Sequence, residues 1–347
     1  MVELIASAQK RSHRNCITSL GYDAGRVASG GKDSCVLLYE CTAEGLRNHS
    51  KFPLESVTGV RTNIISVDLA GDRLICGTSC GQLHIIDSRG SGSSRILAHT
   101  SQINCVKWLD PARHMVCTSS SDSKVKVWDV RHTSIPVHEL IGHTSVVNCC
   151  DSFPNAPPQD ELSINFGDYY ERVLSVASDR TARLWNLNSG THLAFKVPAT
   201  ISQNVECCSM LLKKPHYIFA VGMDSEYVLV FSVKLKKHIG SLSLGSKDIW
   251  ITCLRACGDY LLVGTNVGKL HFVRYSFSSD YSKCTLEVEC SFDYRGSVND
   301  IRFDVSGNEL RIYLAIGVEM RLGRWKTAVP DSGEKPQNLI NQSLFRL

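Results

Sequence analysis

The sequence predicts an all-β chain closed into a seven-bladed β-propeller. Three observations predict it: the apolar runs are strand-length, one sheet-like motif returns seven times along 347 residues, and the innermost strands share one small-residue position.

The motif is plainest in two segments, CTSSSDSKVKVWDV and SVASDRTARLWNL, which carry Trp128 and Trp185. Each has a β-rich run, a turn holding an Asp, and alternating apolar residues that lead into the Trp. Sliding this template along the chain finds weaker copies at Tyr39, Ile86, Phe231, Val273 and Trp325. The seven positions lie 47, 42, 57, 46, 42 and 52 residues apart, a period of roughly 40–45 residues with insertions. In six copies the residues one and three before this position are apolar, from Val36/Leu38 to Leu270/Phe272. A period of two marks a strand with one face in a core. The expected blades cover 13–56, 57–98, 99–142, 143–202, 203–247, 248–294 and 295–328, with 329–347 left as a C-terminal tail.

Three copies repeat a polar set. Asp33, Asp122 and Asp179 precede the aromatic by six residues, Ser29, Thr118 and Ser175 by ten, and His13, His99 and His143 stand ahead of the innermost strands. The pattern resembles WD40 repeats, in which hydrogen bonds join these side chains to the aromatic, here Tyr39, Trp128 and Trp185. Buried polar groups are tolerable when every member is satisfied. A Ser–His–Asp hydrolase does not need its triad in three separate blades, so the structural reading is preferred.

The fifteen cysteines include no CxxC pair, and the nearest spacings are Cys76/Cys80 and Cys253/Cys257. No metal site is expected. An odd count in a chain opening on MVELIASAQKRSH, without an apolar leader, fits a soluble intracellular protein and not a disulfide framework. Aligning the inner strands puts Cys16, Ser66, Cys105, Cys149, Cys207, Cys253 and Asp300 in one position, where strands crowd the channel and a small side chain fits.

Residues 154–171 interrupt the fourth copy with an acidic, proline-bearing loop, and a shorter insertion near 278–290 lengthens the sixth. Ring closure requires the chain ends to pair in one blade. Val2–Ala6, within residues 1–8, is the candidate closing strand, and the final residues are the alternative.

The sequence carries no GxxxxGK[ST], HExxH or EF-hand spacing. No cofactor and no small-molecule substrate is expected, and no apolar stretch is long enough to cross a membrane as a helix. A net charge of +4 permits nucleic-acid contact through local patches. Lys126 and Arg183, two before the Trp, read as solvated strand-edge cations. Lys124 and Arg180 sit in or beside the turn after the repeat Asp, where loops gather around the channel mouth. Lys234, Lys236, Lys237 and His238 form a second basic cluster, which suits either a solvated hairpin or a phosphate contact. Arg324 occupies a position filled by apolar residues in the other copies. It is expected either in an ion pair or at a partner.

Several of these segments resemble the WD-repeat protein family of the U3 small nucleolar ribonucleoprotein. VEMRLGRW (Val318–Trp325) is similar to the end of that family's last blade, with Met320 where the family has His. DIWITCL (Asp248–Leu254), with Trp250, resembles the opening of its sixth blade, ERVLSVASDRTARLW its fourth blade, and VKLKKHI its lysine-rich hairpin. The resemblance covers about residues 99–328 and implies a non-enzymatic nucleolar component in the nucleus. Its implied partners are U3 snoRNA at box B/C, a kink-turn-binding protein and other small-subunit processome proteins, and its implied work is early pre-ribosomal RNA cleavage. Lys124, Arg180, Trp250, Arg321, Arg324, Lys236 and Lys237 are the candidate RNA- or partner-binding residues. That family usually carries a long charged N-terminal extension, whereas this sequence opens almost at its first copy. Ile86–Arg89 and Trp128–Arg131 each end in Asp-x-Arg, a pattern resembling substrate receptors of cullin–RING ubiquitin ligases. That role, or a general protein-interaction scaffold, is the alternative.

Overall fold

The computed structural model describes residues 2–11, 13–55, 62–90, 92–110, 114–152, 172–201, 203–212, 216–246, 248–322 and 336–346. Among them every regular element is a β-strand, and the strands form seven antiparallel four-stranded sheets.

The first blade comprises β2 (Ile17–Asp23), β3 (Arg26–Gly31), β4 (Cys35–Thr42) and β5 (Gly45–Pro53). The second has β6 (Ile64–Ala70), β7 (Arg73–Thr78), β8 (Gln82–Asp87) and β9 (Ser93–Leu97). The third has β10 (Ile103–Asp110), β11 (Met115–Ser120), β12 (Val125–Asp129) and β13 (His138–Leu140). The fourth has β14 (Val147–Ser152), β15 (Arg172–Ala177), β16 (Thr181–Asn186) and β17 (His192–Lys196). The fifth has β18 (Val205–Leu212), β19 (Ile218–Met223), β20 (Tyr227–Ser232) and β21 (Lys237–Ser243). The sixth has β22 (Ile251–Cys257), β23 (Tyr260–Thr265), β24 (Lys269–Phe277) and β25 (Cys284–Asp293).

The last blade runs β26 (Ser297–Ser306), β27 (Glu309–Gly317), β28 (Leu339–Arg346) and then β1 (Glu3–Lys10), so both chain ends close the ring. Val2–Ala6 and the final residues were alternatives for one strand. They are neighbours, with Leu4 opposite Phe345 and Lys10 opposite Ile340. Leu339–Arg346, expected within the tail, is therefore a strand of the last blade.

Cross-strand register shows why the sequence pattern failed here. Trp128 lies opposite Val116, Tyr39 opposite Val27, and the same place in the last blade belongs to Ser343, opposite Ile312. Trp325 does not mark the third strand of that blade, and it lies outside the described residues. The true strand carries Asn341, Gln342 and Ser343, all buried, so it lacks the apolar alternation. Their hydrogen bonds make that burial tolerable: Asn341 Nδ2 donates to Ser7 Oγ at 3.0 Å and Gln342 Nε2 to the Thr42 carbonyl at 3.2 Å. Gln342 holds the position assigned to Arg324, which also lies outside the described residues, as does the loop at 154–171. The insertion near 278–290 is an extension of the β24–β25 hairpin.

Apolar residues fill the seams between blades. A Cβ on Gly77 would stand 2.4 Å from Ile103 Cγ2 of the following blade, so only glycine permits this approach. Each inner strand shifts register near its start, for example between Ile64 and Ser66 and between Ile103 and Cys105. Such a bulge frees backbone N–H groups, which require other partners.

Candidate functional site

The register shifts define the residues around the channel. The small-residue position falls on Ser19, Ser66, Cys105, Cys149, Cys207, Cys253 and Asp300. Six agree with the sequence alignment, but the first blade supplies Ser19 and not Cys16, because its shift lies between Ile17 and Ser19. Cys16 precedes the strand and its Sγ donates to the Glu319 carbonyl at 3.1 Å. Burial pushes the Cys253 thiol up to about 12 and the Cys207 thiol well above its ordinary value, so both serve as neutral packing groups.

Side chains of one blade also accept from backbone N–H groups on the inner strand of the next. Ser66 Oγ accepts from Val106 N at 3.1 Å, Asp68 from Trp108 N at 3.0 Å, Asp151 from Met210 N at 3.2 Å and Ser209 from Ala256 N at 3.0 Å. Asp300 accepts from Leu20 N at 3.0 Å, across the seam where the ring closes. Burial opposes charge on Asp300, but Arg302 at 2.8 Å and Arg255 at 3.1 Å outweigh it and hold its carboxyl below the usual range. The channel wall is therefore a polar ring whose charges are largely paired.

Arg321 crosses this channel. Its backbone N–H donates to Asn299 Oδ1 in its own blade at 3.1 Å, while Nη1 donates to the Asn104 carbonyl at 2.8 Å and Nη2 to the Asn148 carbonyl at 3.4 Å. Asn104 and Asn148 belong to the third and fourth blades, across the ring from the seventh. The guanidinium fork suits this span because its donors are fixed in one plane. Glu319, two residues earlier, pairs with Lys32 of the first blade at 2.6 Å.

Two of the three polar sets assemble as complete tetrads, and the His, Ser and Asp of the first blade repeat the core of the arrangement. His99 Nε2 lies 2.8 Å from Thr118 Oγ1, its Nδ1 lies 2.9 Å from Asp122, and Trp128 Nε1 donates to Thr118 Oγ1 at 3.0 Å. His143, Ser175, Asp179 and Trp185 repeat the arrangement, with Trp185 Nε1 donating to Ser175 Oγ at 2.8 Å. In the first blade His13 meets Ser29 at 2.7 Å and Asp33 at 2.9 Å, beside buried Tyr39. Burial pushes the Asp122 carboxyl up, but His99 and the N–H groups of Lys124 and Thr100 prevail and hold it at about 2. Asp33 and Asp179 are lowered in the same way. Each serine or threonine hydroxyl faces its His and lies buried, so these groups tie strands together.

The candidate binding residues do not form one site. Arg180 is exposed in the turn joining β15 to β16, with φ of 60°, and its guanidinium has no partner among the described residues. Lys124 occupies the corresponding turn but pairs with Glu139 at 2.5 Å. Trp250 is half-buried before β22, its backbone N–H donating to Asn266 Oδ1 at 2.7 Å. Lys236 and Lys237 are exposed at the turn joining the third and fourth strands of the fifth blade. Successive turns of an antiparallel meander leave from opposite ends of its strands, so these lysines and Arg180 lie on opposite faces of the disc. Of the expected strand-edge cations, Lys126 Nζ donates to the Ala98 carbonyl at 2.9 Å, and Arg183 bonds His192 beside Trp185. Sequence reading missed the channel span of Arg321, since no local pattern shows which residue reaches across a ring.

Seven blades, with tetrads in the third and fourth, define the class: a seven-bladed β-propeller carrying WD repeats. The family model described as WD domain, G-beta repeat matches residues 92–129 and 134–186. The chain is similar to U3 snoRNP-associated protein-like EMB2271 of Arabidopsis thaliana, 23% identical, over 90% of this chain and 66% of that protein. It is also similar to the ribosome biogenesis protein WDR12 homolog of Chlamydomonas reinhardtii, 30% identical over 40% of this chain. The match spans only 32% of that relative's length. Among solved structures, the WD40 repeats of RRP9 superpose with a TM-score of 0.80 at 18% identity, covering 100% of both chains.

Proposed function

We propose that this chain is a non-catalytic component of the U3 small nucleolar ribonucleoprotein. It would hold U3 snoRNA at box B/C beside a kink-turn-binding protein, in the nucleolus, and serve pre-ribosomal RNA processing and small-subunit biogenesis. The observation that carries this reading is the similarity to EMB2271 along 90% of the chain, far beyond the two regular repeats that WD proteins share. The segments around Arg180, Trp250 and Arg321 support it through their resemblance to the same family. Arg180 is the strongest contact candidate because its guanidinium is unspent and exposed, and such a fork reaches two phosphate or base acceptors at once. Arg321 acts by shaping the channel mouth, and Arg324 remains a candidate outside the described residues.

The test is retention of a U3-like box B/C RNA over an unrelated stem-loop, with the kink-turn protein present. The reading requires selective retention that Arg180→Ala combined with Arg324→Ala weakens while circular dichroism is unchanged. Equal retention of both RNAs contradicts it.

One observation favours a second reading. Arg89 and Arg131 are exposed in adjacent blades, and each folds back on its own Asp, Arg131 Nη2 to Asp129 at 2.6 Å and Arg89 Nη2 to Asp87 at 3.1 Å. A cullin–RING receptor role predicts co-purification with the ligase adaptor, lost in Arg131→Ala.

A further inference from the structure

The face opposite Arg180 carries a basic and aromatic surface between the fifth and sixth blades. The β24–β25 hairpin is built rigidly: Ser278 N donates to the Lys283 carbonyl at 3.0 Å, and Ser278 Oγ donates to Asp280 at 2.7 Å. It holds Tyr281 at φ of 56°, a conformation a bulky side chain adopts only when its surroundings enforce it. There the Tyr281 ring stacks on His216 of the fifth blade, centroids 3.8 Å apart and planes 16° apart. Phe277 lies 5.6 Å from Tyr281 and Tyr275 lies 5.6 Å from Phe277, so four rings follow one another across the seam. Tyr275, Phe277 and Tyr281 border a groove of about 820 Å³ that includes Met210, Leu211 and Arg274.

The lysine turn adjoins this ladder. Val233 N donates to the carbonyl of Tyr217, the residue after His216, and the turn then presents exposed Lys234, Lys236 and Lys237. None of the three has a partner among the described residues, and Lys283 is likewise exposed at the hairpin. Arg172 stacks over Tyr217 at 5.0 Å. Of the nearby carboxylates, Asp280 accepts within its hairpin and Glu289 pairs with Arg274 at 2.9 Å, while Asp259 is exposed along the groove. The surface thus combines free positive charge with half-buried ring faces, in blades that abut closely enough for a Cβ on Gly240 to meet the Cys284 carbonyl at 2.5 Å.

We infer that this surface binds a single-stranded nucleic-acid segment, with bases on the ring ladder and phosphates along the lysines. Stacking serves any base, and a cationic flank tracks the backbone, so the chemistry favours an unpaired strand over a duplex, whose bases are already stacked. The inference rests on the RNA-binding reading above and adds a second, separate contact on the other face.

The test is fluorescence anisotropy with a labelled twelve-residue oligouridine and a duplex of equal length, at low and physiological salt. The intact chain should bind the single strand more tightly than the duplex. Lys236→Glu with Lys237→Glu, which alters only exposed side chains, should weaken binding by about tenfold or more. Phe277→Ala with Tyr281→Ala should do the same, and Arg180→Glu should not. Retention of the U3-like stem should survive Phe277→Ala with Tyr281→Ala, which separates failure of this inference from failure of the proposed function. The inference is overturned if oligouridine does not bind, if the duplex binds equally, or if the lysine variant binds like the parent. Binding of an acidic peptide with no oligouridine binding also overturns it, assigning the groove to protein.

Discussion

The guanidinium of Arg321, carried by the last blade, donates to the carbonyl of Asn104 in the third blade at 2.8 Å, across the channel. A residue that resembles part of a family signature is thus used inside the ring. Its second donor reaches Asn148, so one side chain connects three blades. Charge-assisted bonds to backbone carbonyls stabilise by about 1.5–3 kcal/mol each. Arg321→Ala is expected to lower the thermal midpoint by several degrees, and Arg321→Lys to restore part of the loss, since an ammonium lacks the fork. Scanning calorimetry of the three proteins checks this, and an unchanged midpoint in Arg321→Ala refutes the span as a stabilising contact.

The tetrads predict acid sensitivity. The Asp122 carboxyl is held at about 2 in the folded chain, against about 3.9 when unfolded. Because the folded value is the lower one, the stabilisation is complete above about pH 4 and is lost as pH falls through about 2. Asp122→Asn should therefore destabilise at pH 7, by about 1–3 kcal/mol, and cost less at pH 3. Urea unfolding at the two values measures the difference, and an equal cost at both would show that the carboxylate charge is not what stabilises.

Ring closure depends on β1, which covers the outer edge of β28. Deleting residues 1–10 removes that strand and exposes an edge able to pair with a second molecule. The shortened chain should melt at lower temperature and associate with rising concentration, as size-exclusion chromatography with light scattering would reveal. A monodisperse monomer of parental stability would contradict closure by both ends.

Arg180 stands at φ of 60° where Gly81 and Gly268 occupy the corresponding turns with φ of 77° and 88°. A left-handed conformation costs a non-glycine residue about 1–2 kcal/mol. Arg180→Gly should hold or raise stability while weakening RNA retention, a separation that a purely structural arginine would not produce. Thermal melting and the retention assay on one preparation read both effects.

Six of the seven aromatic-position assignments follow from apolar alternation, and Cys105, Cys149, Cys207 and Cys253 fall where small side chains were expected. These features are local, so a period in the chain reveals them. The last blade was hidden because Asn341, Gln342 and Ser343 replace the apolar pattern with buried hydrogen bonds to distant partners. Cys16 misled because a cysteine near an inner strand looks the same on either side of a register shift. The ring ladder from His216 to Tyr281 joins two blades, and neither segment alone announces it.

Recovery of crosslinked RNA from cells expressing the intact chain tests the central reading most directly. Sequencing should return U3 snoRNA, concentrated at box B/C and depleted in the Arg180→Ala, Arg324→Ala protein. Recovery of unrelated RNAs in proportion to their abundance, or of none, would contradict the assignment.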